Sequence, residues 1–394
     1  MQSEERPSSP RFSLVVGGPF HALLRRFGGL ADDGLPRLGA ALLLATLAWM
    51  LPALLVVAEA NLGDGPPGWS FFADATTYGR YLIAIVVMIG TERYADGRFD
   101  LLINQFREAR IVSDDHTLPF LSALAVADRR SSSKLAELVI LVFVLGFAGW
   151  STRYAAPIVP MTWEGQAIDG TVVLSWAGRF TSLVSSPLFL FLVLRWCWRF
   201  VVWTILLFRL SRLPLALSPL HPDRCAGLGF LAIYPSIFTG FVFAASSVVA
   251  ATVLKELTGV ALSNESIGGM LAGWLAIMLL LFLGPLFVFA PIIREERERA
   301  LLEYGRLTHQ HHAAFHRKWL ESARDGADLI ASADASSLAD LTVSVALIHE
   351  IRVVPIDRFA LIQLIAAAGL PLTVVVLSQV PLNELARRIL LGIL

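Results

Sequence analysis

Arg195 and Arg199 stand four residues apart inside an otherwise apolar run, Phe189-Leu190-Phe191-Leu192-Val193-Leu194-Arg195-Trp196-Cys197-Trp198-Arg199-Phe200. On a helix, that spacing puts both guanidinium groups on one face. Counted back from Phe208 at about 1.5 Å per residue, Arg199 lies about 14 Å deep and Arg195 about 20 Å. A charge at such depth costs at least a few kcal/mol unless it faces a partner or water. No acid sits at mid-depth in another apolar run, and Glu59, Glu137 and Glu256 lie near ends, so the sequence offers no ready internal ion pair. Three chemistries fit the pair. They are a water-lined pathway for an anionic solute, a phosphate-bearing lipid or ligand held in guanidinium forks, and snorkelling with Trp196, Trp198 and Trp203 as interfacial aromatics.

Two further clusters carry chemistry. In Ser218-Pro219-Leu220-His221-Pro222-Asp223-Arg224-Cys225-Ala226-Gly227-Leu228-Gly229-Phe230, Asp223 is placed to N-cap the apolar helix that follows, and Pro222 fixes the entry. His221, Asp223 and Arg224 thus form a candidate at the cytoplasmic face, either as a capped turn or as a proton or metal site. The His-Pro-Asp triplet also marks J-domain co-chaperones, but no J-domain helices surround it here. The second cluster is Tyr304–His316, where His309, His312 and His316 share one helical face. Three imidazoles can supply part of a zinc or copper site, yet no cysteine or second histidine pair follows to complete it. The alternatives are solvated histidines and pH sensing. A nucleophile elbow, a P-loop, a dinucleotide fingerprint and a His-Glu-x-x-His helix are all missing from the sequence, so neither an enzyme nor a cofactor is expected.

The elements that must position these residues are membrane helices. Of 394 residues, 56% are hydrophobic and 16% charged, with a mean hydropathy of +0.65. A soluble domain carries about 25% charge, so this chain is expected to be an all-α polytopic membrane bundle. Basic and acidic residues balance at 32 each, which gives nucleic acid no hold. Cys197 and Cys225 provide neither a disulfide framework nor a metal cluster. Four runs are long enough to cross a bilayer unaided: Leu38–Ala58, Leu228–Leu254, Ile267–Ile293 and Phe359–Asn383. Leu138–Thr152 spans if it begins near Lys134, Thr181–Phe208 spans despite its arginines, and Tyr81–Gly90 spans if Ala73–Thr91 is helical. The count is six or seven. With seven spans and a cytoplasmic N-terminus, 24 Lys or Arg fall on the inner side and 3 on the outer. Deleting the weak second span destroys that bias, so it is retained.

Outside the spans, no cleavable signal peptide is expected, because the first long apolar run begins near residue 38. Phe20, Leu23, Leu24, Phe27 and Leu30, with Arg25 and Arg26 beside them, read as an interfacial helix on anionic lipid or as a disordered basic tail. Residues 92–134 read as a cytoplasmic helical pair, Arg93–Arg110 and Asp115–Arg130. Residues 294–358 read as a charged helix, Arg294–Arg324, followed by a shorter one from Ser336 to about Ile351. The loop 152–180 holds a short hairpin around Thr171-Val172-Val173-Leu174, and a final amphipathic helix carries Arg387 and Arg388. Pro52, Pro187, Pro235, Pro285 and Pro371 put kinks within the spans.

Taken together, Arg195-Trp196-Cys197-Trp198-Arg199, Ser211-Arg212-Leu213, His221-Pro222-Asp223-Arg224, Gly227-Leu228-Gly229-Phe230, Tyr304-Gly305, Arg317-Lys318-Trp319, Arg352-Val353-Val354-Pro355 and Val380-Pro381-Leu382 make the chain resemble an uncharacterised family of bacterial polytopic inner-membrane proteins. The family pattern has Gly-Gly where this chain has Ala226-Gly227. The resemblance implies a bacterial inner membrane and carries over no activity. The expected function is a channel or transporter for a small solute, with an anion or an anionic lipid as the candidate ligand and a homo-oligomer as the candidate assembly. The alternative is a structural or signalling component whose cytoplasmic helices bind a partner.

Overall fold

The computed structural model describes residues 12–62, 69–154, 162–168, 171–259, 264–321 and 333–378. The expected terminal amphipathic helix and the last three residues of the expected Arg294–Arg324 helix lie outside them. Helix α1 is Gly18–Arg26, α2 Leu38–Leu62, α3 residues 75–90, α4 Glu92–Glu108, α5 Thr117–Ser131 and α6 Lys134–Tyr154. A two-stranded hairpin follows, β1 Gly165–Ile168 antiparallel to β2 Thr171–Leu174. Then come α7 Trp176–Leu210, α8 Thr239–Gly259, α9 Asn264–Leu283, α10 Ala290–His316, α11 Ala333–His349 and α12 Arg358–Ser378. The protein is an all-α membrane bundle, with six helices long and apolar enough to cross a bilayer among the described residues.

The seventh, α3, is too short to qualify by hydropathy, but it runs between the same two ends of the bundle. Asp74 at its start accepts from Lys255 Nζ at 2.7 Å and Trp163 Nε1 at 3.0 Å. At the opposite end, Tyr94 in α4 donates to Ser236 Oγ at 3.2 Å. Its weak signal has a physical cause. Tyr81, Ala84, Ile85, Met88 and Ile89 are all buried against α2, α7 and α8, so this helix meets protein rather than lipid and has no need of an all-round apolar surface. Small residues allow the close packing. A β-carbon on Gly79 would lie 2.9 Å from Ala251 Cβ and 3.1 Å from the Ser247 carbonyl oxygen. Residues 78–84 are π-helical, as is 181–185 in the neighbouring α7. The two irregular stretches meet where Tyr81 Oη and Ser186 Oγ hydrogen bond at 2.7 Å.

Two proline-containing segments redraw the expected boundaries. The fifth span does not start as a straight helix at Leu228. A 3₁₀ turn at Gly229–Ile233 and a single turn at Tyr234–Ile237, with Pro235 in it, precede α8. Likewise Gly284–Phe289 is 3₁₀ around Pro285 and divides the run expected from Ile267 to Ile293 into α9 and α10. In each case the proline lacks the N–H that the next α-turn needs.

The extramembrane expectations hold in outline. The pair α4 and α5 replaces Arg93–Arg110 and Asp115–Arg130 within two residues at each end, and the long charged helix and its shorter partner pack on each other as α10 and α11. The N-terminal segment forms a helix, as one of its two readings expects. Phe20 and Leu24 are buried in the bundle core while Leu23 and Phe27 are exposed, so α1 is docked on protein by one face. Leu30 lies outside it, bridged to Pro36. Gly79→Leu is expected to lower stability by about 2 kcal/mol through overpacking. Gly146→Leu, where a β-carbon meets nothing within 4 Å, is expected to be tolerated. Unfolding in denaturant of the detergent-solubilised variants checks both.

Candidate functional site

Glu92, Asp96 and Asp100 recur every four residues on α4, and Arg195 and Arg199 recur every four on α7. The structure brings these two ladders together. Arg195 Nη1 donates to Glu92 Oε1 at 2.7 Å, Arg199 Nη1 donates to the same oxygen at 2.8 Å, and Arg195 Nε donates to Glu137 Oε1 at 3.2 Å. All four groups are interior: Arg195 is 4% exposed, Arg199 2%, Glu92 1% and Glu137 5%. Two guanidiniums and two carboxylates leave the cluster with no net charge. The Arg195 guanidinium also lies 4.9 Å from the Phe20 ring centroid, and that of Arg199 lies 5.2 Å from Trp196.

This arrangement corrects the expectation that no acidic partner is at hand. The depth count from Phe208 misleads because α7 is 35 residues long, about 52 Å against a hydrocarbon thickness of about 30 Å. Counted from Trp176, Arg195 lies about 28 Å along. That is the level at which α4 and α6 begin, so their first-turn acids, Glu92 and Glu137, reach it. The arginine heads are buried among protein groups rather than snorkelling along the helix. Trp196 and Trp203 are buried rather than interfacial; Trp196 Nε1 donates to the Met88 carbonyl at 3.0 Å and Trp198 Nε1 to that of Arg130 at 3.0 Å.

A lid of main chain closes the cluster. The Nη2 groups of Arg195 and Arg199 both point at the carbonyl oxygen of Val15, each at 3.4 Å, long for a charge-assisted bond. The segment is held by the acids: Phe12 N donates to Asp100 Oδ1 at 3.0 Å, the Ser13 hydroxyl donates to Asp96, and Phe20 N donates to Glu137 Oε2 at 2.9 Å. Gly18 has φ +83° and passes so close to the Glu137 carboxylate that a β-carbon would lie 2.5 Å from Oε1. Only glycine fits there. Sequence reasoning missed Glu92, Asp96, Asp100, Val15 and Gly18. The acidic ladder matching the arginine ladder was the available signal.

The other sequence candidates sit elsewhere. Asp223 does not cap the helix from its N-cap position; it reaches across a turn. Its Oδ1 accepts from the N–H groups of Cys225 at 2.8 Å and Gly227 at 3.2 Å, and its Oδ2 from Gly229 at 2.7 Å. Burial alone would raise this carboxyl, but the three N–H groups outweigh it and hold it below the usual carboxylate range. His221 Nδ1 lies 3.0 Å from Asp223 Oδ1, and Arg224 pairs with Glu350 at 3.2 Å. The turn is a structural knot that docks against Arg352, whose N–H donates to the Arg224 carbonyl at 2.8 Å. Ala226 has φ +54° and Arg224 φ +55°, the left-handed region that disfavours a β-carbon. His309, His312 and His316 are exposed along α10. His316 lies 3.3 Å from Glu321, and among the described residues no group of three His, Cys, Asp or Glu gathers to hold a metal.

Compared with protein-family models, curated proteins and solved structures, the chain matches none.

Two expectations follow. Arg195→Leu leaves Glu92 and Glu137 under-compensated and should cost about 3–5 kcal/mol, whereas Arg195→Leu combined with Glu137→Gln should recover part of the loss; unfolding of both variants in detergent measures it. Ala226→Gly should raise stability by about 0.5–1 kcal/mol, because relief of left-handed strain exceeds the extra freedom of the unfolded chain. Thermal unfolding checks the sign.

Proposed function

We propose that this integral membrane protein is a channel or transporter for a small anionic solute. On this reading it sits in a bacterial inner membrane with the N-terminus cytoplasmic, and the conformation described is its closed state. The observation that carries the proposal is the convergence of two guanidinium Nη2 groups on one carbonyl oxygen, that of Val15, at 3.4 Å each. An oxyanion is the natural occupant of a point flanked by two guanidiniums, and its bonds there are stronger than those of a neutral carbonyl. The N-terminal segment is thus a stand-in that an anion displaces.

Three features support this. The ionisable groups face the bundle interior, as functional intramembrane charges do. The segment covering them is irregular between Phe12 and Gly17 and is held by a few polar contacts, so it can leave without unfolding a helix. The paired π-helical stretches at 78–84 and 181–185 lie in the two helices that carry the ladders onward, and such stretches concentrate at functional sites. The orientation rests on the strong bias of Lys and Arg toward the side bearing residues 92–134 and 294–358.

A second reading has its own observation. Leu302, Leu320 and Val343 are 77%, 68% and 57% exposed on α10, the turn after it and α11. A signalling or structural component would use such side chains to hold a cytoplasmic partner.

Flux through liposomes containing the purified full chain separates the two. Wild type is expected to pass a small anion slowly. Deletion of residues 2–17, or Gly18→Val, is expected to raise that flux at least several-fold, with Arg195→Gln in the same background lowering it again. Equal, negligible flux in all four overturns the transport reading and leaves the partner-binding one.

A further inference from the structure

We infer that the cleft between the His221-Pro222-Asp223-Arg224 turn and the start of α12 is a phosphate-binding site for a phospholipid headgroup, held by Arg98 and Arg352. The site is separate from the arginine–glutamate cluster and does not depend on the transport reading.

The cleft has a volume of about 370 Å³ and lies between α4, the 3₁₀ entry at Gly229–Ile233 and the first turn of α12. Two carboxylates face it, and both are already occupied. Asp223 accepts from three backbone N–H groups, and Asp357 Oδ2 accepts from Phe359 N at 3.0 Å. Two guanidiniums also face it, and neither has a carboxylate within ion-pair distance among the described residues. Arg352 is anchored by carbonyls, donating from Nη1 to Ile356 O at 2.9 Å and from Nη2 to Asp223 O at 3.2 Å. Arg98 rests on the Tyr94 ring at 5.1 Å. Arginine donates five N–H bonds in a fork that fits phosphate, and most of that capacity is unspent on Arg98. The anchoring by carbonyls and a ring fixes the positions of the two heads without consuming their charge.

The surroundings select a lipid phosphate. Phe230 and Ile233 line one wall, and Phe359 and Ala360 the other. Residues 229 and 358 are where two membrane helices begin, which is the level of the headgroups. Basic pockets between helices at that level take phosphate-bearing heads. The apolar wall then receives the glycerol and the first carbons of the chains.

The test uses the purified full chain in a neutral detergent, titrated with phosphatidylglycerol, phosphatidylethanolamine or inorganic phosphate, with bound ligand counted by native mass spectrometry. Arg98→Gln and Arg352→Gln should each weaken phospholipid binding on the order of 10- to 100-fold, the loss of one charge-assisted contact. Arg98→Lys should keep part of it. Arg352 also holds the turn, so Arg98→Gln, which touches only the Tyr94 ring, is the decisive variant. Phospholipid binding that inorganic phosphate in excess does not displace supports the lipid source. Saturation by inorganic phosphate with no lipid bound moves the same site to a soluble phosphate ester and overturns the lipid assignment. Unchanged lipid binding in Arg98→Gln overturns the site itself.

Discussion

Two arginines are buried against two glutamates at one end of a membrane bundle, and most of the architecture answers to that fact. An isolated guanidinium there would cost several kcal/mol, so α4 and α6 must begin and α7 must pass at one level to bring Glu92, Glu137, Arg195 and Arg199 together. The N-terminal segment completes the set, because the Nη2 groups would otherwise face an open cleft. Pairing of this kind contributes little net stability compared with apolar packing of the same volume. What it supplies is register: α4 and α7 can meet through their four-residue ladders in very few ways. The acids one and two turns further along α4 extend the same logic to the N-terminal segment, whose Ser13 and Phe12 they receive.

The opposite end is tied by different means. Asp74 gathers Thr76, Trp163 and Lys255, and Ser175 caps the start of α7 while donating to the Trp163 carbonyl at 2.6 Å. The bundle is thus fastened by polar contacts at its two ends, and at the arginine end aromatic packing such as Trp196 and Phe200 on Phe238 adds to them. Lipid supplies no hydrophobic drive between helices, so fastening of this sort decides which helices are neighbours.

Much of this was legible in the residues. Apolar run length marked four of the six candidate spans unaided, because a lipid-facing surface has to be apolar all round; the helices at Lys134–Tyr154 and Trp176–Leu210 needed their flanking residues or tolerance of their arginines. The bias of basic residues pointed to a helix at α3, where hydropathy did not, since its buried faces carry Tyr81, Gly79 and Thr76 instead. The helical pair at 92–131 and the hairpin at 165–174 also followed from spacing and turn residues. The partners of Arg195 did not follow, because a depth count along one helix assumes a length for the part inside the membrane, and α7 overshoots it. The role of Asp223 was half legible. Its type and place before a helix marked it as an acceptor for backbone N–H groups, but the reach of six residues to Gly229 depends on the left-handed backbone at Arg224, Ala226 and Gly227. Spacing alone does not reveal such a backbone. The identity of the lid, main chain from Phe12 to Gly18, carried no side-chain pattern to read.

The lid also fixes an order of assembly. Val15 is separated from Arg195 by 180 residues, so the segment around Val15 is made long before the guanidiniums it covers. Glu92 and Glu137 are likewise made well before the arginines that pair with them, and a nascent chain that stops short of α7 holds two acids without those counter-charges. Completion of residue 199 supplies the two guanidiniums that Glu92, Glu137 and the Val15 carbonyl meet in the finished structure.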